Sequence, residues 1–181
     1  MIIRVGNISL QRFLPEHTDM LYDLINRPEV RQGMRNNSEI PYASHLLWVK
    51  ENLIETNNVH LFLVADNDKG LGVALIKNIT GNSGELGVMV GDIISAREML
   101  LTSKLLTGIL YYAFHKIDLQ YLDIRILPEN RNSITTAYKI GADFQDQDDT
   151  YQHFLLKKAD YEIFPLNQSL IKRYQPCCIE G

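Results

Sequence analysis

The side chains able to move protons or hold anions fall at a few places in this chain. Glu85 lies in "SGELGVMVGD", where strand alternation puts Glu85, Gly87 and Met89 on one face. A carboxylate there could act as a general base, directly or through water. It could equally be a solvated carboxylate at a strand end. His45 is of the residue type best suited to proton transfer near neutral pH, and a partly exposed helix histidine is its plainer reading. Arg31 and Arg35, in "RQGMRNNSEI", could grip a diphosphate, or be ordinary charges on a polar loop. Met34 and Trp48 could form an apolar wall against a bound ring, with Trp48 as plain helix core the alternative. "SAREMLLTSKLLTGILYYAF" carries Arg97, Thr102 and Ser103 near what must be a helix N-terminus. Unpaired N–H groups and the positive end of the helix dipole suit an anion there.

The elements that position these groups follow from periodicity. "NISLQRFL" alternates as a first strand. "PEHTDMLYDLINRPEV" has Pro15 at a helix start and a stop near Pro28. "PYASHLLWVKENLIE" reads as a second helix. "VHLFLVAD" and "GLGVALIKNI" are strands joined by "DNDKG", and "SGELGVMVGD" is a further strand after "TGNSG". A long helix is expected over roughly residues 98–117, burying Leu100, Leu101, Leu105, Leu106, Ile109, Leu110 and Phe114. "LQYLDIRIL" is a strand, "NRNSITTAYKIGA" a short helix ended by Gly141, and "TYQHFLLKKA" a last strand. The order is β-α-α-β-β-β-α-β-α-β. The strand–helix–strand crossover implies a parallel pair inside a mixed sheet.

Composition narrows the classes. The chain of 181 residues is long enough to bury one good core. Its net charge of −4 argues against a nucleic-acid partner. It has no apolar run long enough for a membrane span and no apolar leader in "MIIRVGNISLQRF", so a cytoplasmic location without membrane attachment is expected. Cys177 and Cys178 read as free thiols, and no metal site is expected. His60, His115 and His153 lack motif context and read as surface or packing residues. The tail from about Asp160 either docks through Phe164, Leu166, Ile171 and Tyr174 or frays. The expected division is a domain over residues 1–160 and a tail over residues 161–181.

Together "LGVMVGD", the helix ending "YYAF", "DIRILPEN" and "NRNSITTAYKIGA" resemble the GCN5-related N-acetyltransferases (GNAT). Within them, the branch of ribosomal-protein alanine and sugar-nucleotide aminosugar acetyltransferases is the nearest in flavour. The likeness spans roughly residues 8–158. The positions Asn130, Ser133, Ile134, Lys139 and Gly141 carry one motif. Upstream, Arg27, Val30, Arg31, Met34, Ile40, His45 and Trp48 resemble a segment of aminosugar acetyltransferases such as those of pseudaminic acid synthesis.

The resemblance implies an α+β fold. Its mixed, mostly antiparallel sheet would have about six or seven strands and about four helices, with strands four and five splayed. It implies acetyl-CoA as cosubstrate. The backbone of Val88, Met89 and Val90 would pair with the pantetheine arm, and a backbone N–H of Met89 or Val90 would polarise the thioester carbonyl. Arg97, Leu100, Leu101 and Thr102 would lie at the pyrophosphate, with Asn130 and Ser133 on the cofactor arm. Asn130 could instead be a helix N-cap.

Two departures stand out. Glycines usual in the pyrophosphate loop are replaced by Leu100 and Thr102, and Leu100 and Leu101 could be ordinary core residues. The family's general-acid tyrosine falls on Ala137, with Tyr138 one place later. A one-residue shift turns a helical side chain by about 100°, so Tyr138 serves as the acid only if the helix begins differently. Glu85 would be the base, and Arg31, Met34, His45 and Trp48 would bind the acceptor. The expected activity is N-acetylation of a primary amine on a nucleotide-linked amino sugar. Alternatives are a protein N-terminus or other small amine, or a degenerate member without turnover. The partner would be a small molecule, and the chain a monomer or homodimer.

Overall fold

A computed structural model describes residues 1–56, 58–67, 69–91 and 100–180. The strands are β1 (Ile2–Val5), β2 (Ile8–Arg12), β3 (His60–Asp66), β4 (Lys69–Thr80) and β5 (Ser83–Val90), then β6 (Tyr121–Ile126), β7 (Asp143–Gln147), β8 (Gln152–Lys157) and β9 (Cys177–Ile179). The α-helices are α1 (Thr18–Ile25), α2 (Pro28–Arg31), α3 (Tyr42–Val49), α4 (Leu101–Tyr111), α5 (Arg131–Lys139), α6 (Lys158–Ile163) and α7 (Pro165–Tyr174).

Among the described residues, nine strands form one sheet in the order β7-β8-β6-β5-β4-β3-β2-β1-β9. Every pairing is antiparallel except β5 with β6. The sheet is wider than the expected six or seven strands. β1 joins β2 through a two-residue turn at Gly6 and Asn7, where Gly6 takes φ +58° as such hairpins require. β9 adds to the other side of β1, and β7 pairs with β8. Helices likewise exceed the expected four, because Pro28–Arg31 form the separate α2 and the segment after β8 forms α6 and α7.

Side-chain alternation divides the sheet into two faces. Leu61, Leu63, Val73 and Leu75 pack with Leu21, Leu24, Ile25, Val30 and Val49 of α1 to α3. Ala74, Ile76, Leu86, Leu122, Ile124 and Ile126 pack on the opposite face with Leu101, Leu105, Ile109 and Phe114. α5 joins this second face through Ala137 and Ile140. The expected buried stripe on the long helix is present, with one correction: Leu100 is 45% exposed and precedes α4. The helix tightness also changes at its end, where Tyr112–Lys116 continue as one π turn. Gly141 ends α5 at φ +89°, and a Cβ there would lie 2.8 Å from the Phe164 ring. Among the described residues no helix is long and apolar enough to cross a membrane.

Candidate active site

β5 and β6 are paired at only one end. Their parallel register runs Ser83↔Tyr121, Gly84↔Leu122 and Glu85↔Asp123, and stops there. β5 continues along β4 as far as Gly72↔Val90, while β6 continues along β8 as far as Ile126↔Gln152. The edge of β5 from Leu86 to Val90 therefore faces β6 without a partner. The Gly91 N–H donates to Leu71 O at 2.9 Å. Alternation along a regular antiparallel strand then turns the Met89 N–H and C=O toward β4. Those of Val88 and Val90 face the gap. Of the two amides expected at the thioester, Val90 faces the gap and Met89 does not.

The gap opens into a cleft of about 640 Å³. Val88, Met89 and Val90 line one wall, and Ile124, Ile126 and Leu127 the other. Thr102 and Leu106 bring the first turns of α4 to it, and Asn130, Ser133 and Thr136 bring α5. Val30, Gly33, Met34 and Arg35 close it from the side of α1 to α3.

On the α4 side, Leu100 holds the backbone of a glycine. Its φ and ψ are 51° and 40°, the left-handed region that a leucine enters at a cost of about 1–2 kcal/mol. The first bond back into this helix runs from Lys104 N to Leu100 O at 3.2 Å. By helix geometry the N–H groups of Leu101, Thr102 and Ser103 have no partner within the helix. Leu101 points into the core and is 0% exposed. Arg97 lies outside the described residues. Asn130 caps α5, its Oδ1 accepting from Ser133 N at 3.1 Å. Its Nδ2 points toward the segment around Gly33, since a Cβ on Gly33 would sit 3.8 Å from it.

On the opposite face, Glu85 is 7% exposed and fully engaged. Lys77 Nζ lies 2.9 Å from one carboxylate oxygen and Arg125 Nε 3.6 Å from the other. Asn78 Nδ2 donates to Glu85 Oε2 at 3.0 Å. Lys77, Glu85 and Arg125 all line the cleft. Nothing in a strand pattern announced Lys77 and Arg125. They alternate with core residues and read as outward-facing, and outward here is the cleft.

Other expected residues sit elsewhere. Tyr138 is 52% exposed, its ring edge against Phe154, while Ala137 reaches the cleft from α5. His45 is 1% exposed between α3 and α1, its Nε2 2.9 Å from Thr18 O and its ring 5.3 Å from that of Tyr22. It fastens two helices. Trp48 is 38% exposed and outside the cleft. Arg31 donates to Asn26 O and Asn37 O, bracing its own loop. The tyrosine that does line the cleft is Tyr151, in the turn between β7 and β8. That turn is tied by Asp148, whose carboxylate accepts from Thr150 N and Tyr151 N at 2.6 and 2.7 Å and meets His153 at 2.9 Å. Those backbone bonds, then the His153 bond, draw the Asp148 carboxyl down to about 2.

At the junction of the two sides, Arg27 Nη1 donates to Gly70 O at 2.8 Å and to Gly91 O at 3.2 Å. One guanidinium thus ties the α1–α2 corner to the ends of β4 and β5.

Residues 7–143 match the acetyltransferase (GNAT) domain, and the chain belongs to this family of acyltransferases. No curated protein matches it. Solved structures share the fold. Spermidine N-acetyltransferase from Vibrio cholerae, in complex with CoA and spermine, superposes with a TM-score of 0.72 at 14% identity, covering 86% of this chain and 98% of its own. Campylobacter jejuni N-acetyltransferase PseH, in complex with acetyl coenzyme A, gives 0.60 at 19% identity, covering 83% and 98%. An uncharacterized protein from Bacillus halodurans gives 0.75 at 13% identity, covering 92% and 91%.

Proposed function

We propose that this chain transfers the acetyl group of acetyl-CoA to a primary amine carried by a nucleotide-linked amino sugar. The observation that carries the reading is the half-unzipped pair of β5 and β6. It leaves an unpaired strand edge in a cleft that joins the start of α4 to the segment around Met34 and Arg35. Bound acetyl-CoA supplies an activated thioester. The chain's part is to hold it, orient it and exclude water. The outward N–H and C=O groups of Val88 and Val90 suit the amides of a pantetheine arm. The N–H groups at the start of α4 that have no partner within the helix, with the Thr102 hydroxyl, suit a pyrophosphate. A backbone N–H beside the carbonyl stabilises the charge that grows on its oxygen. The Glu85 carboxylate is already occupied by Lys77, Arg125 and Asn78, so the amine's proton goes to water in the cleft rather than to Glu85.

Support for the sugar acceptor comes from Met34 and Arg35, which the upstream segment brings to the cleft, and from the likeness to PseH. The test has two arms. Differential scanning fluorimetry with acetyl-CoA should raise the melting temperature by a few degrees at saturating ligand. Release of free thiol from acetyl-CoA should then follow addition of a UDP-linked amino sugar and not of spermidine. No thermal shift with acetyl-CoA, or thiol release with spermidine alone, would overturn the reading.

A further inference from the structure

We infer that Arg125 and Lys77 form an anion subsite for the acceptor, braced from beneath by Glu85, and that they read a phosphate group of that acceptor. The inference deepens the reading above and rests on it.

The geometry is built in three steps. Val73 and Leu75 belong to the core under α1 to α3. Lys77, two residues further, projects on that same face, as does its cross-strand partner Glu85. Glu85 pairs in register with Asp123, and Arg125 follows two residues later, on the same face and just beyond the point where β5 and β6 part. The two cations thus stand on either side of the opening of the gap. Glu85 lies between them, its side chain 9% exposed against 42% for Lys77 and 48% for Arg125.

What the cations leave unused decides the argument. Arg125 meets Glu85 through Nε. Among the described residues neither of its terminal nitrogens is paired, so the planar fork that fits two phosphate oxygens is free. Lys77 has one donor on Glu85 and two to spare. A buried carboxylate fixes both heads before any ligand arrives, which lowers the ordering cost of binding. The cleft lining also carries Arg35, against Glu29 and Glu85 as its acids. Among the described lining residues cations outnumber carboxylates, although the chain as a whole carries −4. Asp123 is on this face but outside the cleft lining. Such a lining repels a polycationic amine and attracts an amine that carries phosphate.

The test is isothermal titration of UDP into the protein saturated with CoA, with spermidine as the opposite-charge probe. UDP should bind saturably, and its affinity should fall as salt rises. Arg125→Met should weaken UDP about tenfold or more, and Lys77→Met should weaken it too, in keeping with lost bonds to a charged group. Affinity for CoA should be unchanged in both, which also confirms that they fold. Lys172→Met, exposed on α7 and outside the cleft, should leave UDP binding unchanged. UDP affinity unmoved by both cleft substitutions while CoA binds normally would overturn this inference alone. So would saturable binding of spermidine without UDP. Failure of CoA to bind the unaltered protein would overturn the parent reading and this one with it.

Discussion

Gly91→Ala tests how the start of the proposed cofactor loop is held. Gly91 directly follows β5 and leads into residues 92–99. Its φ lies outside the left-handed region, so alanine can adopt the backbone and only space is at issue. There is none: the new Cβ would stand 2.1 Å from Leu24 Cδ1 and 2.6 Å from Arg27 Nη1. Leu24 is 0% exposed and cannot swing into solvent. Forcing a methyl into such a core costs about 1–3 kcal/mol. Displacing Arg27 also endangers its bonds to Gly70 O and Gly91 O, charge-assisted bonds that contribute about 1.5–3 kcal/mol when fully formed. The lower half of that range applies to a half-buried guanidinium. Loss of glycine's freedom in the unfolded chain returns about 0.4–1 kcal/mol. The net destabilisation is about 2–4 kcal/mol, a fall in melting temperature of roughly 5–12 °C for a chain of this size. Thermal melts with and without acetyl-CoA provide the assay. The variant should melt lower and also show a smaller shift with acetyl-CoA. A melting temperature within about 2 °C of the parent would refute the tight packing of this corner. A full-sized ligand shift would refute its role in positioning the loop.

Three further outcomes follow from the same geometry. Leu100→Gly relieves a left-handed leucine, so it should melt at or above the parent temperature and Leu100→Val below it; with Thr102→Gly added, acetyl-CoA affinity measured by titration should rise. Asp148 has its carboxyl drawn from the usual range near 4 down to about 2. Its contribution to stability is therefore present above about pH 4 and lost as pH falls through about 2. The gap in melting temperature between parent and Asp148→Asn should be constant above that window and close within it. Tyr138→Phe should leave turnover within about twofold, whereas Tyr151→Phe, in the cleft, should lower it more; the reverse order would return the acid role to α5.

The element order and the parallel crossover were legible in the sequence because periodicity and punctuation agreed along most of it. Leu122, Ile124 and Ile126 alternate cleanly, and all three are buried. Three strands were not legible, each for its own reason. β1 is short and its turn at Gly6–Asn7 is a hairpin signal that a reading starting at Asn7 cuts in half. β7 is "DFQDQ", exposed along its whole length, so it has no apolar face to alternate. β9 is three residues whose strand character exists only through pairing with β1. The cleft's backbone was legible at Val88 to Val90, because a family likeness and a strand pattern coincided there. Its side chains were less so. His45 and Trp48 fall within the upstream likeness, but spacing alone does not say which way a helical side chain faces, and packing against Thr18 and Tyr22 turned His45 inward. Glu85 was visible as a carboxylate on the right face. Its partners Lys77 and Arg125 come from two other strands, and only the sheet order brings them to it.

The central claim is that the parted β5 and β6 receive an acyl-CoA. A crystal structure with bound CoA measures this most directly. It should show the pantetheine amides bonded to the outward N–H and C=O groups of Val88 and Val90, with the pyrophosphate over the N–H groups of Leu101 to Ser103. CoA bound elsewhere, or β5 and β6 paired through to Val90, would contradict it.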